Sequence, residues 1–186
     1  MNISYETDRL ILKTLGKEAA PMVLAFYEEN KDHLEPWEPK RAYNFYSLYF
    51  QKASLTAETN LMAEGKLIRY WVLLKDNPDE IVGTVCYQGF LKSPYNSSTI
   101  GYKFAKKHCH KGYAFESISK SIDIMWNEYN LHRIEAYIME TNKPSIRLIK
   151  KLNFVYEGAC FSYAYIGGRW RDHNRYSIIN PADQFM

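Results

Sequence analysis

The 186 residues predict one α+β domain built around a central sheet. The length suits one sizeable core and is short for two. Apolar side chains make up 46% and aromatic ones 16%, which excludes a disordered chain. Short apolar runs bounded by turn residues alternate with stretches of helical period, and no repeat or low-complexity stretch interrupts them.

RLILKTL, from Arg9 to Leu15, is rich in Leu and Ile and reads as the first strand. A helical stretch follows from about Lys17 to Asn30. HLEPWEP, His33 to Pro39, carries two prolines that exclude a continuous helix and mark a shaped loop. A long helix is expected from Ala42 to about Glu64, bearing Phe45, Tyr46, Tyr49, Phe50 and Ala53. Three strands come next: IRYWVLLK ends at the turn DNPDE, IVGTVCYQGF starts after it, and SSTIGYKFA follows KSPYN.

Beyond Gly112, the residues Phe115, Ile118, Ile122, Met125, Trp126 and Tyr129 recur at i, i+3, i+7, i+10, i+11 and i+14, one face of an α-helix. HRIEAYIM reads as a strand, and NKPSIRLIKKL as a short helix with Asn142 at its N-cap. The last two strands, FVYEGACFSYAYI and WRDHNRYSII, meet at Gly167-Gly168, a hairpin signal. The order β-α-α-β-β-β-α-β-α-β-β gives seven strands and four helices.

Formal net charge is +3, from 24 basic and 21 acidic side chains, too balanced to argue for nucleic acid or a membrane surface. Cys86, Cys109 and Cys160 are odd in number, widely spaced and form no CxxC, so a reducing compartment is the expectation. MNISYETDRL is polar and acidic where a signal peptide needs a basic start and an apolar run. With no bilayer-length apolar stretch, the chain is expected in the cytoplasm.

The stretch HCHKGYAFES, residues 108 to 117, raises the chemical question. His108, Cys109 and His110 are soft donors in a row, which invites a metal. A zinc site, however, needs three or four converging ligands, and adjacent side chains on a strand or loop diverge. No second Cys/His pair is close, since His132 and His173 stand apart in sequence. The alternative is phosphate. A strand leads through a short loop into a long helix near Gly112, where orphan N–H groups and the positive helix end coincide. Gly112 permits a tight turn and Ala114 an unobstructed approach. From Ile81 to Phe115 there is no Asp or Glu, while Lys92, Lys103, Lys106, Lys107 and Lys111 are present. The lysines taken by themselves would equally make a solvated basic face.

IGYKFAKKHCHKGYAFES, LHRIEAYIMETNKPSIRLIKKLNFVYEG and GGRWRDHNRYSI together resemble the GNAT superfamily of N-acetyltransferases, and within it the RimJ/RimL-like branch that acetylates ribosomal-protein N-termini. HLEPWEP also resembles a loop of that branch. The resemblance is dense from about Ile100 to Ile178 and follows the element order over nearly the whole chain. It implies a single GNAT-like domain over residues 1–186, with a mostly antiparallel seven-stranded sheet flanked by about four helices.

The family's acetyl-CoA loop reads Gln/Arg-x-x-Gly-x-Gly/Ala. Gly112 and Ala114 match, Cys109 takes the Gln/Arg place, and His110 stands where a further Gly is common. The resemblance thus implies that backbone groups of Cys109, His110, Lys111, Gly112, Tyr113, Ala114 and Phe115 hold the pyrophosphate of acetyl-CoA. Tyr102, Lys103 and Phe104 would pair with the pantetheine through their backbone, one N–H of that strand serving the oxyanion. Asn142 and Ser145 match the family's Asn-x-x-Ser. Asn142 would contact the pantetheine and Ser145 would protonate the departing sulfur, although both residues are also ordinary in the first turn of a helix.

A general base is harder to find, because no Asp or Glu occurs between Glu157 and Asp172. Glu140, at the end of its strand, is a candidate base or a solvated carboxylate. Trp37, Tyr87, Tyr163 and Tyr165 are candidates for the acceptor wall, or core residues in a chain with 16 Tyr. An α-amine, with a pKa of about 7.7–8.0, is partly neutral at cytosolic pH where a lysine near 10.4 is not. A weakly armed site therefore fits a protein or peptide N-terminus. A small-molecule amine (polyamine, amino sugar or amino-acid analogue) and a catalytically silent CoA-binding module are the alternatives. An RNA-binding module is disfavoured, since the basic patch has only Phe104 and Tyr113 interleaved. The expected partners are acetyl-CoA and an amine, with no metal, nucleic acid or membrane, and a homodimer is compatible with the sequence.

Overall fold

Strand alternation divides the apolar residues between two cores, one on each face of a single sheet. The computed structural model describes residues 3–183. Among these, eight strands are ordered β1-β2-β3-β4-β5-β6-β8-β7. They are β1 (Ser4–Glu6), β2 (Leu10–Lys13), β3 (Leu67–Leu74), β4 (Ile81–Leu91), β5 (Ser97–Phe104), β6 (Arg133–Met139), β7 (Val155–Ile166) and β8 (Arg169–Ile179). The helices are α1 (Ala20–Glu29), α2 (Lys31–Leu34), α3 (Leu48–Ala63), α4 (Tyr113–Asn127) and α5 (Lys143–Lys151).

On β3, Ile68, Tyr70 and Val72 face a core shared with Ile118, Ile122 and Met125 of α4 and Ile149 of α5. Trp71 and Leu73 face the other way, onto Val23 and Phe26 of α1 and Leu55 of α3. The first face holds the helix whose period was plain in the sequence. None of the helices among the described residues is long and apolar enough to cross a membrane.

Three local features differ from expectation. A short strand, β1, pairs antiparallel with β2 (Tyr5 opposite Leu12), making eight strands where seven were read. One helical turn, α2, and a 3₁₀ turn from Glu35 to Trp37 occupy the segment read as a proline-shaped loop, with Pro36 inside the 3₁₀ turn. The helix expected from Ala42 starts at Leu48. Ser47 is extended and its hydroxyl accepts the Phe50 N–H at 3.2 Å, which fixes the start. The preceding turns wrap Arg41, whose guanidinium lies 5.0, 4.5 and 5.3 Å from the ring centres of Tyr27, Phe45 and Tyr46.

The sheet is antiparallel except where β5 meets β6. That parallel pairing covers only Ser97–Thr99 against Arg133–Glu135. Beyond it, β5 runs on to Phe104 and β6 to Met139 without pairing to each other, so the sheet opens into a wedge.

Candidate active site

The wedge is the floor of a cleft of about 930 Å³ that passes from one face of the sheet to the other. At one end lies the loop between β5 and α4. His110 and Gly112 both have left-handed backbones, with φ of 63° and 83°. Gly112 is the N-cap of α4, so no side chain competes for the first-turn N–H groups of Tyr113, Ala114 and Phe115. A Cβ at Gly112 would sit 3.2 Å from the Arg9 guanidinium, in a conformation that L-residues resist.

Arg9 braces this end from β2's leading turn. It donates to the Lys111 carbonyl at 3.0 Å, lies 4.6 Å over the Tyr113 ring, and pairs with Glu116 at 2.6 Å. Burial by itself would raise the Glu116 pKa. Hydrogen bonds from Thr7 and Arg9 outweigh it, so the carboxylate stays ionised and paired. The acid nearest the helix start is thereby neutralised, and the loop keeps its positive character. Arg147 and Lys151 of α5 line the same cleft. The sequence reading missed both, because the long-range approach of α5 to the loop leaves no local signal.

The three soft donors at the start of HCHKGYAFES go separate ways. His108 is buried, with Nε2 2.8 Å from Glu80, which also takes Lys107 at 2.7 Å. Hydrogen bonds from Lys107 and then His108 pull the Glu80 pKa down to about 2. Cys109 points its sulfur at the Ala105 carbonyl, 3.5 Å away, and towards His33, 3.8 Å away, with burial raising the thiol's pKa. His110 continues the left-handed turn. Their directions suit a loop anchor better than a shared ion.

Near the middle of the cleft, Asn142 caps α5 by accepting the Ser145 N–H at 3.2 Å. The Ser145 hydroxyl is 2.7 Å from the Tyr102 hydroxyl. Burial raises the Tyr102 pKa to about 12, with the bond to Ser145 opposing it, so the phenol keeps its proton. Ile100, Phe104 and partly buried Tyr102 face the α4–α5 core. Lys103, next along β5, points through to the opposite face.

That opposite face is a different chemical wall. Lys103 forms an ion pair with Glu38, which Arg41 also holds at 2.6 Å. Burial pushes the Glu38 pKa up, but Lys103 and Arg41 together win and keep it below the usual carboxylate range. Trp37, 37% exposed, stands beside Glu38. Tyr137 of β6 and His173 of β8 complete the wall. Tyr163, 46% exposed, stacks on Tyr137 at 4.5 Å with 6° between the rings, and lies 5.0 Å from the His173 ring.

Three candidates lie elsewhere. Tyr87 is fully buried, its hydroxyl 2.8 Å from Ser121 of α4, so it belongs to the core and does not line the cleft. Every residue from Ile81 to Tyr87 is buried, which hid from the sequence which face each side chain takes. Glu140 lines a separate cavity of about 210 Å³ with Arg169, Trp170, Arg171 and Asp172. Tyr165 sits on the exposed hairpin against Trp170. Besides Arg147 and Lys151, the sequence reading did not select Glu38 and His173. HLEPWEP and the alternation of β8 were the signals that could have found them.

Residues 9–155 match the family model described as an acetyltransferase (GNAT) domain. The chain is 30% identical over 179 residues to the [Ribosomal protein uS5]-alanine N-acetyltransferase of Escherichia coli (strain K12), covering 96% of this chain and 92% of that protein. It is 29% identical to a probable N-acetyltransferase, YjcK, of Bacillus subtilis (strain 168), over 87% of this chain and 88% of that one. Among solved structures, the ribosomal-protein-S5-alanine acetyltransferase from Vibrio fischeri superposes with a TM-score of 0.90 at 30% identity, over 96% and 97% of the two chains. Mycobacterium smegmatis RimJ, solved in complex with CoA-disulfide, gives a TM-score of 0.88 at 24% identity, over 94% of this chain and 84% of that one.

Proposed function

This chain belongs to the GNAT acetyltransferase family, and on that premise we propose that its N-acetyltransferase activity is directed at the N-terminal α-amine of a ribosomal protein. The observation that carries the reading is the wedge between β5 and β6. It sets proton-bearing hydroxyls on one face of the sheet and an open, mixed wall on the other.

The chain fits acetyl-CoA as donor. The loop offers first-turn N–H groups at a Gly whose Cβ would crowd Arg9, with Lys106, Arg147 and Lys151 around it. Acetyl-CoA supplies the acyl group as a thioester. The backbone of His110 to Phe115 binds the pyrophosphate, and the unpaired edge of β5 at Tyr102 to Phe104 binds the pantetheine arm as an added strand would. A backbone N–H on that edge serves the developing oxyanion. Asn142 holds the start of α5, and so the place of Ser145. Ser145 delivers a proton to the departing sulfur, and Tyr102 orients its hydroxyl.

The acceptor enters from the Trp37–Tyr137 face. Glu38, on that face, is tied up between Lys103 and Arg41, and among the described residues the cleft is lined by no free carboxylate of the kind that would strip a lysine. An α-amine is partly neutral on its own. Relatives whose names specify ribosomal-protein alanine acetylation support the same acceptor class. The test is thiol release from acetyl-CoA with ribosomal proteins bearing free N-termini, alongside polyamines, amino sugars and amino-acid analogues. Turnover of a ribosomal protein above all small amines supports the reading, and preference for a small amine refutes it.

A further inference from the structure

The wall opposite Ser145 contains one group built to take a proton. His173 lies on β8, opposite Met139 of β6, and is only 6% exposed while lining the cleft. Tyr176, three residues on, faces the α4–α5 core with Ala136. By alternation His173 and Met139 face the other way, towards the incoming amine. The His173 ring packs against Tyr163, which is itself stacked on Tyr137, so its plane is held.

Its hydrogen bonding sets the tautomer of the neutral ring. Nδ1 is 3.1 Å from the carbonyl oxygen of Arg171. A carbonyl oxygen only accepts, so Nδ1 carries the hydrogen, and in the neutral ring the lone pair falls on Nε2. Nε2 has no hydrogen-bond partner among the described residues. Of the other cleft groups that could take a proton, His108 is tied to Glu80 and His110 lies in the left-handed turn at the loop end. Glu38 is bound by Lys103 and Arg41, and the Tyr137 hydroxyl donates to Glu135 at 2.7 Å. His33 lies beside Cys109 at the loop end.

We infer that Nε2 of His173 accepts the proton released by the acceptor nitrogen as it is acetylated. This rests on the acetyl-transfer reading above. The amine's lone pair forms the new N–C bond, the C–S bond breaks with its electrons on sulfur, His173 takes one proton from nitrogen and Ser145 gives one to sulfur. The protein then passes a proton from His173 to solvent and regains one at Ser145, so protons and charge balance. Base and acid stand on opposite faces of the wedge, so each can reach a different substituent of the tetrahedral carbon, His173 the nitrogen and Ser145 the sulfur.

The experiment compares wild type and His173→Gln on two acceptors: a peptide with a free α-amine, and the same peptide with that α-amine replaced by a terminal hydrazide nitrogen, so weakly basic that water removes its proton from the tetrahedral intermediate. The variant should lose roughly 10²-fold in kcat on the amine, the low end for a positioned base, and lose far less on the hydrazide. CoA affinity should stay within about twofold. Ring ¹⁵N shifts of wild-type His173 at pH 8 should report hydrogen on Nδ1 and a bare Nε2, a readout that needs neither variant nor turnover. Equal losses on both acceptors, near-normal turnover of the amine, or hydrogen on Nε2 would each overturn the inference. A wild type that acetylates no peptide would instead overturn the acceptor reading beneath it.

Discussion

Ser145→Ala separates chemistry from helix structure unusually well here. The cap of α5 uses the Ser145 backbone N–H, which alanine retains, and alanine is a good helix former. Among the described residues the hydroxyl's side-chain partner is Tyr102, 2.7 Å away. In the variant the Tyr102 hydroxyl keeps a longer contact to the Ser145 carbonyl, at 3.4 Å. The stability cost should therefore be about 1 kcal/mol or less, a melting shift of roughly 2–4 °C for a chain of this size. Losing a positioned acid costs the rate roughly 10²-fold, about 2.7 kcal/mol of barrier. CoA affinity should hold, since the phosphates and pantetheine are bound by backbone elsewhere. Tyr102→Phe should lower kcat by a smaller factor, and the double variant should be no slower than Ser145→Ala, because the two hydroxyls act as one unit. Thiol-release kinetics, calorimetric CoA titration and thermal melts on the three variants measure all of this. A stable, tight-binding Ser145→Ala protein with near-normal turnover would refute the proton-donor role.

Gly112→Asp places a Cβ against Arg9 at φ 83° and a like charge at the phosphate cradle, so CoA affinity should fall at least tenfold, about 1.4 kcal/mol, by calorimetry. Tyr87→Phe removes only the core bond to Ser121. It should cost about 1 kcal/mol in denaturant unfolding and leave acceptor KM unchanged, and a raised KM would put Tyr87 back on the cleft wall. Glu80→Gln releases His108 and Lys107 from the loop anchor. Because the Glu80 pKa is depressed to about 2, its stabilisation is fully present above the ordinary carboxylate range and is lost as pH falls through that range towards 2. The melting difference between wild type and Glu80→Gln should thus be constant from pH 7 to 5 and close below pH 4. A difference that grows in acid would refute the anchor.

The parts of this protein legible in the sequence are those set by local physics. The period of Phe115 to Tyr129 fixed α4, and the Gly at its mouth was legible as a turn residue, where the structure has φ 83°. Asn142 was readable as a cap because capping is a contact of three residues. What stayed hidden depends on residues distant in sequence. The wedge arises because β5 and β6 pair over three residues only, and strand register carries no local signature. The late start of α3 follows from the aromatic cage around Arg41, which outweighs the helix propensity of Ala42 to Ser47. Glu38 drew no notice within HLEPWEP, and His173 stood apart in sequence; the ion pair to Lys103 and the contact to the Arg171 carbonyl both come from distant strands or the fold of β8.

The central claim is that this cleft acetylates an α-amine, and one peptide tests it most directly. It begins with alanine, bears a free α-amino group and carries an internal lysine. After incubation with the enzyme and acetyl-CoA, fragmentation mass spectrometry locates the added acetyl group. The account predicts acetyl on the N-terminal nitrogen, with the lysine unmodified at neutral pH. Acetyl on the lysine, or no acetylated peptide while a small amine turns over, would contradict it.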